Sequence, residues 1–172
     1  MADHIRWGIL GASKFAREQM GPALHAAAGG TLAALATSSP ERAEPFLGIS
    51  PELKVLDSYD ALLADPGIDA VYIPLPNHLH AEWTQRVLEA GKHALVEKPA
   101  TLRAPEFDQL IKARDASGKL AAEAYMIVFH PQWLRVKELL AEGAIGTLMH
   151  VDGAFSFNNR AQTDNIRNQA ET

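Results

Sequence analysis

The chain has 172 residues, of which 47% are apolar and 22% charged, and its formal net charge is −5. This composition is typical of a globular protein with one well-buried core, and an acidic balance without a Lys/Arg cluster argues against nucleic-acid binding. No run reaches the roughly 18 apolar residues of a membrane span, no apolar signal region follows Met1, and the absence of Cys excludes disulfides and thiolate chemistry. We therefore expect a cytoplasmic protein without a membrane segment.

Short apolar runs of strand length alternate with longer helical patterns along most of the chain. The predicted strands are residues 5–10, 31–37, 53–56, 70–73, 93–96 and 120–124, and the predicted helices between them are 14–28, 41–47, 59–64, 78–90 and 104–117. Gly29 is expected to cap the end of the first helix, and Ser58 and Asn77 lie where N-caps belong. This alternation predicts an α/β protein with a mostly parallel sheet covered on both faces.

The pattern changes after residue 130. Residues 131–142 predict an amphipathic helix with three leucines facing a core, namely Leu134, Leu139 and Leu140, and residues 147–157 alternate as in one long strand. The segment 158–172 is polar and without periodicity. A lone long strand with an exposed edge is not a stable end for a domain, so we expect this part to be the beginning of a second, incomplete α+β domain.

The turn after the first predicted strand has the context of a dinucleotide-binding fingerprint, because it follows a strand and opens a helix. Its first glycine provides the tight turn, and the N–H groups at the helix start would face a pyrophosphate. Ser and Ala replace the second and third glycines; Ala is a usual variant, whereas Ser is a departure. A plain strand-to-helix turn is the alternative. The residues expected to bind the cofactor here are Gly11, Ala12, Ser13, Lys14 and Phe15.

The end of the second predicted strand indicates which dinucleotide is bound. An NAD site needs Asp or Glu at this tip, but the only nearby carboxylate, Glu41, falls within the next helix start. Hydroxyls and an arginine guanidinium instead suit a 2′-phosphate, which favours NADP over NAD. The alternative is that this segment caps a helix and the arginine is solvated. The residues concerned are Thr37, Ser38, Ser39 and Arg42.

Two further segments follow the fourth and fifth predicted strands, at the edge where open α/β sheets bind ligands. His78 and His80 have no third metal ligand nearby and point to different faces, so we expect a helix entry covering the cofactor and no metal. Lys98, beside Glu97, is a candidate proton donor to a substrate oxygen, with a solvated loop as the alternative. Pro99 is expected to hold Lys98 in an extended conformation.

Together these segments resemble the Gfo/Idh/MocA oxidoreductases, the superfamily of glucose–fructose oxidoreductase and inositol dehydrogenase. The matching segments are residues 7–13, 74–82, 90–99 and 142–146, in the family's order, and 90–99 is the most specific. The resemblance, closest to the glucose–fructose oxidoreductase-like branch, implies a doubly wound Rossmann domain over residues 1–125 and the start of an open-sheet substrate and dimerisation domain over 126–172. It also implies a homo-oligomer that transfers hydride between a nicotinamide cofactor and a sugar, polyol or related hydroxyl or carbonyl substrate.

The resemblance also assigns roles to individual residues. Lys98 matches the family's catalytic lysine, and Tyr125 falls where the family lines the junction of cofactor and substrate; a buried aromatic with a bonded hydroxyl is the alternative role for Tyr125. The family's second catalytic residue lies in a segment that this sequence lacks. Two other functions stay open, a nucleotide-binding module without catalysis and an inactive or degenerate domain. The expected cofactor wall consists of Pro74, Asn77, His80 and Glu97.

Overall fold

The computed structural model describes residues 4–156 and contains one six-stranded sheet in the order β3-β2-β1-β4-β5-β6. Every neighbouring pair of strands is parallel. The predicted doubly wound α/β architecture is therefore confirmed. The strands are β1 (Ile5–Leu10), β2 (Gly30–Ala36), β3 (Lys54–Leu56), β4 (Ala70–Ile73), β5 (His93–Glu97) and β6 (Ala121–Ala124).

Helices connect the strands and start close to the positions that the sequence predicts. Ser58 caps α3 as expected, since its Oγ accepts a hydrogen bond from the Ala61 N–H at 3.2 Å. The expected cap at Gly29 is wrong, because the first helix ends at Ala26 and Ala27, already extended, is its C-cap; Gly29 turns the chain further on, with φ of 79°. Asn77 is likewise the first residue of its 3₁₀ turn and not the N-cap, which is Pro76. The helices are α1 (Gly21–Ala26, after a π-helical turn Ala16–Met20), α2 (Glu44–Leu47, after a 3₁₀ turn Pro40–Arg42), α3 (Tyr59–Ala64), α4 (His80–Glu89, after a 3₁₀ turn Asn77–Leu79), α5 (Ala104–Ser117) and α6 (Pro131–Ala141, after a 3₁₀ turn Met126–Phe129).

Alternate residues of the central strands feed two separate cores, one on each face of the sheet. Ile9 and Tyr72 pack with side chains from α1 and α2, whereas Leu10, Val71 and Ile73 pack with side chains from α3 and α4. Thus α1 and α2 cover one face of the sheet, and α3 and α4 cover the other face. The change from one face to the other occurs between the neighbouring strands β1 and β4. This arrangement produces the topological switch point, and open α/β sheets bind ligands in the crevice at the carboxyl ends of the strands that flank it.

Charged side chains make hydrogen bonds at the other end of the sheet, where β1, β4 and β5 begin. Arg6 at the start of β1 donates from Nε and Nη2 to the two carboxylate oxygens of Asp69, each at 2.8 Å. This pairing lowers the pKa of Asp69 to about 2. Lys92, which is buried, donates from Nζ to the backbone oxygens of Asp65 and Ile68 at 2.7 and 2.9 Å. These contacts fasten both β1 and the start of β5 to the loop that leads into β4.

Residues from Tyr125 onward form a second unit. Its helix α6 matches the predicted helix, but none of its residues is buried, and Leu134 is exposed. The predicted strand over 147–157 is wrong for the ten residues that the structure describes, since 147–156 contain no strand, and residue 157 lies outside the described residues. A strand needs a neighbour to satisfy its backbone groups, and the described part of the chain places none beside this segment.

Candidate cofactor-binding site

Four of the predicted segments meet at one edge of the sheet. Gly11 directly follows β1, Thr37 follows β2, Pro74 follows β4 and Lys98 follows β5. Because β1 lies between β2 and β4, and β5 adjoins β4, these turns are neighbours along the carboxyl edge. The fold thus brings together segments that are up to 87 residues apart in the sequence, the separation of Gly11 and Lys98.

The turn after β1 is built for a close approach to its backbone. Gly11 has a φ of 85°, and its N–H donates to the Ala36 oxygen at 2.8 Å, which ties this turn to the end of β2. Ser13 accepts a hydrogen bond at Oγ from the Ala16 N–H at 3.1 Å, so its side chain caps the helix that follows. Ala16, at the third position of the fingerprint, is fully buried, and its small side chain lets the helix pack close to the sheet.

The N–H groups of Ser13, Lys14 and Phe15 lie at the start of this helix. The helix contains no carbonyl oxygen before them that could accept their hydrogen bonds. The Ser13 oxygen is occupied by its cap contact, while its O–H can still donate to an anion. Lys14 is exposed, with its Nζ 4.0 Å from the Glu18 carboxylate. Residues 11–16 contain no Asp or Glu, so no carboxylate within this turn would repel an anion bound to these N–H donors.

The turn after β2 is organised around a buried hydroxyl. Thr37 accepts a hydrogen bond at Oγ1 from the Ser39 N–H at 3.2 Å, so its side chain shapes the loop, while Ser38 is exposed. Ser39 makes no side-chain cap to the following 3₁₀ turn. Arg42 is not simply solvated, because its Nη2 donates to the Ala12 oxygen at 3.2 Å. Its guanidinium thus links the two turns that the sequence assigns to the pyrophosphate and the adenosine ribose.

His80 joins the turns after β4 and β5. The ring is completely buried, with Nδ1 2.6 Å from the Pro99 oxygen and Nε2 2.7 Å from the Leu75 oxygen. Both ring nitrogens are therefore engaged by the backbone of the protein. Pro74 and Asn77, which flank this bridge, are partly exposed at the crevice edge. The arrangement fixes the spacing of the two turns.

The end of β5 holds a carboxylate in a defined orientation. Tyr72, buried in β4, donates from its hydroxyl to Glu97 Oε1 at 2.8 Å, and Glu97 Oε2 accepts the Lys98 N–H at 3.3 Å. Burial, followed by the Glu97 hydrogen bond and charge, raises the pKa of Tyr72, so the phenol stays a donor. The Lys98 side chain is exposed. Tyr125 is 51% exposed and is the first residue of the second unit.

Sequence reasoning missed three side chains at this edge. Tyr72 orients Glu97, and the Glu123 carboxylate accepts the Ala100 N–H at 2.8 Å, which fastens the turn after Lys98 to β6. Tyr59, at the start of α3, lies against the Gly11 turn. The signal for Tyr72 was present, because a tyrosine inside a buried apolar strand needs a partner for its hydroxyl.

Residues 4–156 contain neither a cluster of metal-binding side chains nor a helix that could span a membrane. No group of three or more His, Asp or Glu side chains there is arranged to hold a metal ion, and His78 is exposed. None of the helices within the same residues has both the length and the apolar character needed to cross a membrane.

The chain is similar to known oxidoreductases over most of its length. The model of the Gfo/Idh/MocA family, described as an oxidoreductase family with an NAD-binding Rossmann fold, matches residues 5–125. A dTDP-3,4-didehydro-2,6-dideoxy-alpha-D-glucose 3-reductase of Actinomadura kijaniata is 38% identical over 99% of this chain and 51% of that protein. A D-xylose 1-dehydrogenase (NADP(+)) of Haloferax volcanii is 38% identical over 95% of this chain and 50% of that protein.

A solved structure of an oxidoreductase is also similar to this chain. The crystal structure of a 3-ketoreductase from Actinomadura kijaniata in complex with NADP matches with a TM-score of 0.78 and 39% identity. The match covers 84% of this chain and 46% of that one. The chain spans about half the length of the curated relatives it matches.

Proposed function

Since the chain belongs to the Gfo/Idh/MocA family of oxidoreductases, we propose that it binds NADP and serves hydride transfer to or from a sugar or sugar-nucleotide carbon. The observation that carries the cofactor choice is the position of Arg42, which follows β2 and whose guanidinium donates to the Ala12 oxygen in the turn after β1. The tip of that strand offers hydroxyls and no carboxylate. Arginine suits a 2′-phosphate, whereas a carboxylate there would repel it.

Each turn of the edge has a separate task in this proposal. The N–H groups of Ser13, Lys14 and Phe15 hold the pyrophosphate at the helix start. Arg42 and the exposed Ser38 hydroxyl hold the 2′-phosphate, and Thr37 shapes their loop. The remaining expected contacts, from Gly11, Ala12, Ser39, Pro74, Asn77 and Glu97, line the crevice between these turns, and His80 contributes through the backbone bridge described above.

Lys98 is the group proposed to handle the proton. When bound, the reduced nicotinamide supplies a hydride to the carbonyl carbon of the substrate. The Lys98 ammonium donates a proton to the carbonyl oxygen as its negative charge develops, and it takes the proton back in the oxidative direction. The Glu97 carboxylate, held by Tyr72, accepts the Lys98 N–H and so orients the backbone that carries this ammonium. Tyr125 is proposed to line the substrate side.

The substrate class is proposed from the relatives. One acts on a keto sugar attached to a nucleotide and another on D-xylose, by their names. Both substrates carry a hydroxyl or carbonyl carbon on a sugar ring, which fits a lysine proton donor beside a nicotinamide. A homo-oligomer is part of the same proposal, as is the assignment of residues 126–172 to the beginning of a substrate and dimerisation domain.

Fluorescence titration of NADPH and NADH into the chain tests the cofactor proposal. We expect NADPH to bind more tightly than NADH. Arg42→Ala should weaken NADPH by about 10- to 100-fold, because it removes a charge-assisted hydrogen bond, and should leave NADH within about twofold. Tighter binding of NADH by the wild-type protein, or an equal loss for both cofactors in Arg42→Ala, would contradict the assignment of this residue.

A matched pair at position 13 tests the placement of the pyrophosphate. Asp and Asn are both good N-caps, so Ser13→Asp and Ser13→Asn keep the contact that Ser13 makes to the Ala16 N–H. Only the aspartate sets a negative charge against the pyrophosphate. We expect Ser13→Asp to abolish binding of both cofactors and Ser13→Asn to retain it. Similar affinities of the two variants would refute this placement.

Lys98→Ala separates binding from chemistry. Its NADPH affinity should stay within about threefold of the wild-type value, whereas reduction of sugar ketones by NADPH should fall by about 100-fold or more, in line with the loss of a positioned general acid. A protein that binds NADPH but reduces no sugar ketone would favour the non-catalytic nucleotide-binding module.

A further inference from the structure

The Tyr59 side chain reaches the turn after β1, to which the proposed function assigns the pyrophosphate. It opens α3, just beyond the carboxyl end of β3. A Cβ built on Gly11 would lie 3.2 Å from the Tyr59 hydroxyl oxygen and 3.3 Å from Leu75 Cδ2. The phenol oxygen therefore lies directly against the backbone of the turn that starts the fingerprint, although no fingerprint motif includes this position.

A chain of contacts holds the Tyr59 ring in place. The ring packs edge-on against Trp83, with centroids 4.9 Å apart and an interplanar angle of 88°. The Arg86 guanidinium covers the Trp83 ring at 4.1 Å from its centroid, and Arg86 is ion-paired with Asp60. Such aromatic and cation–π contacts orient a side chain as well as stabilise it. The direction of the Tyr59 hydroxyl is thus set before any ligand arrives.

The hydroxyl itself is ready to donate. Within residues 4–156 the structure gives it no hydrogen-bond partner, although the ring is only partly exposed. Partial burial raises the pKa of Tyr59, against a smaller opposing effect of the nearby Arg42 charge, so the phenol keeps its proton at neutral pH. A phenol O–H without an acceptor in the protein can donate to a ligand oxygen without breaking an existing hydrogen bond.

We propose that the Tyr59 hydroxyl donates a hydrogen bond to the adenosine half of the bound dinucleotide, at an oxygen that NADP and NAD share. This inference rests on the proposed function. The shared oxygen follows from the geometry, because the hydroxyl lies against Gly11, in the turn that receives the pyrophosphate, while the 2′-phosphate is assigned to Arg42. Tyr59 is therefore a binding residue for both cofactors rather than a residue that selects one of them.

Tyr59→Phe removes the hydroxyl and keeps the ring that packs on Trp83. We expect the dissociation constants of NADPH and NADH to rise together, by about three- to tenfold, as for the loss of one hydrogen bond. Their ratio should stay within about twofold of the wild-type ratio, in contrast to Arg42→Ala. The unfolding midpoint in urea should be unchanged, since the lost hydroxyl has no partner in the described protein.

Thr84→Val is the matched control. Thr84 lies in α4, is buried, and its Oγ1 has no hydrogen-bond partner among the described residues, so this variant also removes an unpartnered hydroxyl. Its cofactor affinities should equal those of the wild type. The inference is overturned if Tyr59→Phe leaves both affinities unchanged, or if its loss is confined to NADPH. A wild-type chain that binds neither dinucleotide would instead refute the proposed function, and this inference with it.

Discussion

A side chain at Gly11, in the turn after β1, is expected to destabilise the protein. The variant Gly11→Ala measures this loss as a lower free energy of unfolding. The backbone there has a φ of 85°, which an L-residue with a Cβ adopts only with strain. The new methyl would also meet the Tyr59 hydroxyl oxygen at 3.2 Å and Leu75 Cδ2 at 3.3 Å. Ordinary contacts of a Cβ are longer, so both neighbours would have to move.

The expected cost has two parts. The left-handed conformation costs about 1–2 kcal/mol, from which the lower entropy of the unfolded Ala chain recovers about 0.5 kcal/mol. Crowding against Tyr59 and Leu75 adds about 1–2 kcal/mol, at the low end of overpacking because a hydroxyl and a leucine tip can yield. Gly11→Ala should therefore lower the free energy of unfolding by about 1.5–3.5 kcal/mol.

Urea unfolding followed by circular dichroism measures this cost, and Gly29→Ala separates its two parts. Gly29 has a φ of 79°, but a Cβ built there meets nothing within 4 Å, so its substitution costs only the conformational part, about 1 kcal/mol. Adding Tyr59→Phe to Gly11→Ala removes one of the two crowding atoms. The double variant should regain about 0.5–1 kcal/mol relative to the single one.

Two results would refute this reasoning. Equal losses for Gly11→Ala and Gly29→Ala would mean that the close contacts at Gly11 carry no energy. A purely additive double variant would mean that the Tyr59 hydroxyl does not lie against the Gly11 turn, which would also remove the geometric support for its role in cofactor binding.

Two further predictions concern charge and protonation. Asp69→Asn should lower the unfolding free energy by about 1 kcal/mol at neutral pH, a value discounted because the ion pair with Arg6 is partly exposed. Because the Asp69 pKa falls from 3.8 to about 2 on folding, this deficit should shrink as urea unfolding is measured at pH values descending from 3.8 through 2; a deficit independent of pH would contradict it. In an absorbance titration, Tyr72→Phe should remove a tyrosine that ionises well above the usual pKa of 10, since burial and Glu97 raise it; an ordinary titration in the wild type would contradict this.

Local rules of the chain predicted most of the architecture. The cap expected at Gly29 was wrong, because Ala27 already ends the helix, but the alternation of apolar runs and helical patterns predicted the six strands to within one or two residues, and the Ser58 cap followed from residue type. These features depend on contacts within a few residues. The predicted strand over residues 147–157 failed for a matching reason, because alternation describes a face but does not provide a neighbouring strand.

Side-chain partners across the site were beyond the reach of the sequence. His80 was expected along the cofactor wall, which stays a prediction, but the pattern did not indicate that its ring is buried between the backbone oxygens of Leu75 and Pro99. These contacts arise from the packing of α4 over the turns after β4 and β5, because burial and hydrogen-bond partners depend on groups that are not adjacent in the chain.

The sequence by itself determined the strand–turn–helix units, the glycine at the turn after β1 and the absence of a carboxylate at the tip of β2. The tertiary structure decided which of these units are neighbours, through the strand order β3-β2-β1-β4-β5-β6. That order sets the Tyr59 hydroxyl against Gly11, 48 positions earlier, and the Tyr72 hydroxyl on Glu97, 25 positions later. Local backbone conformation depends on residues that are close in the sequence. Pairs such as these form only when distant strands have paired to build the sheet.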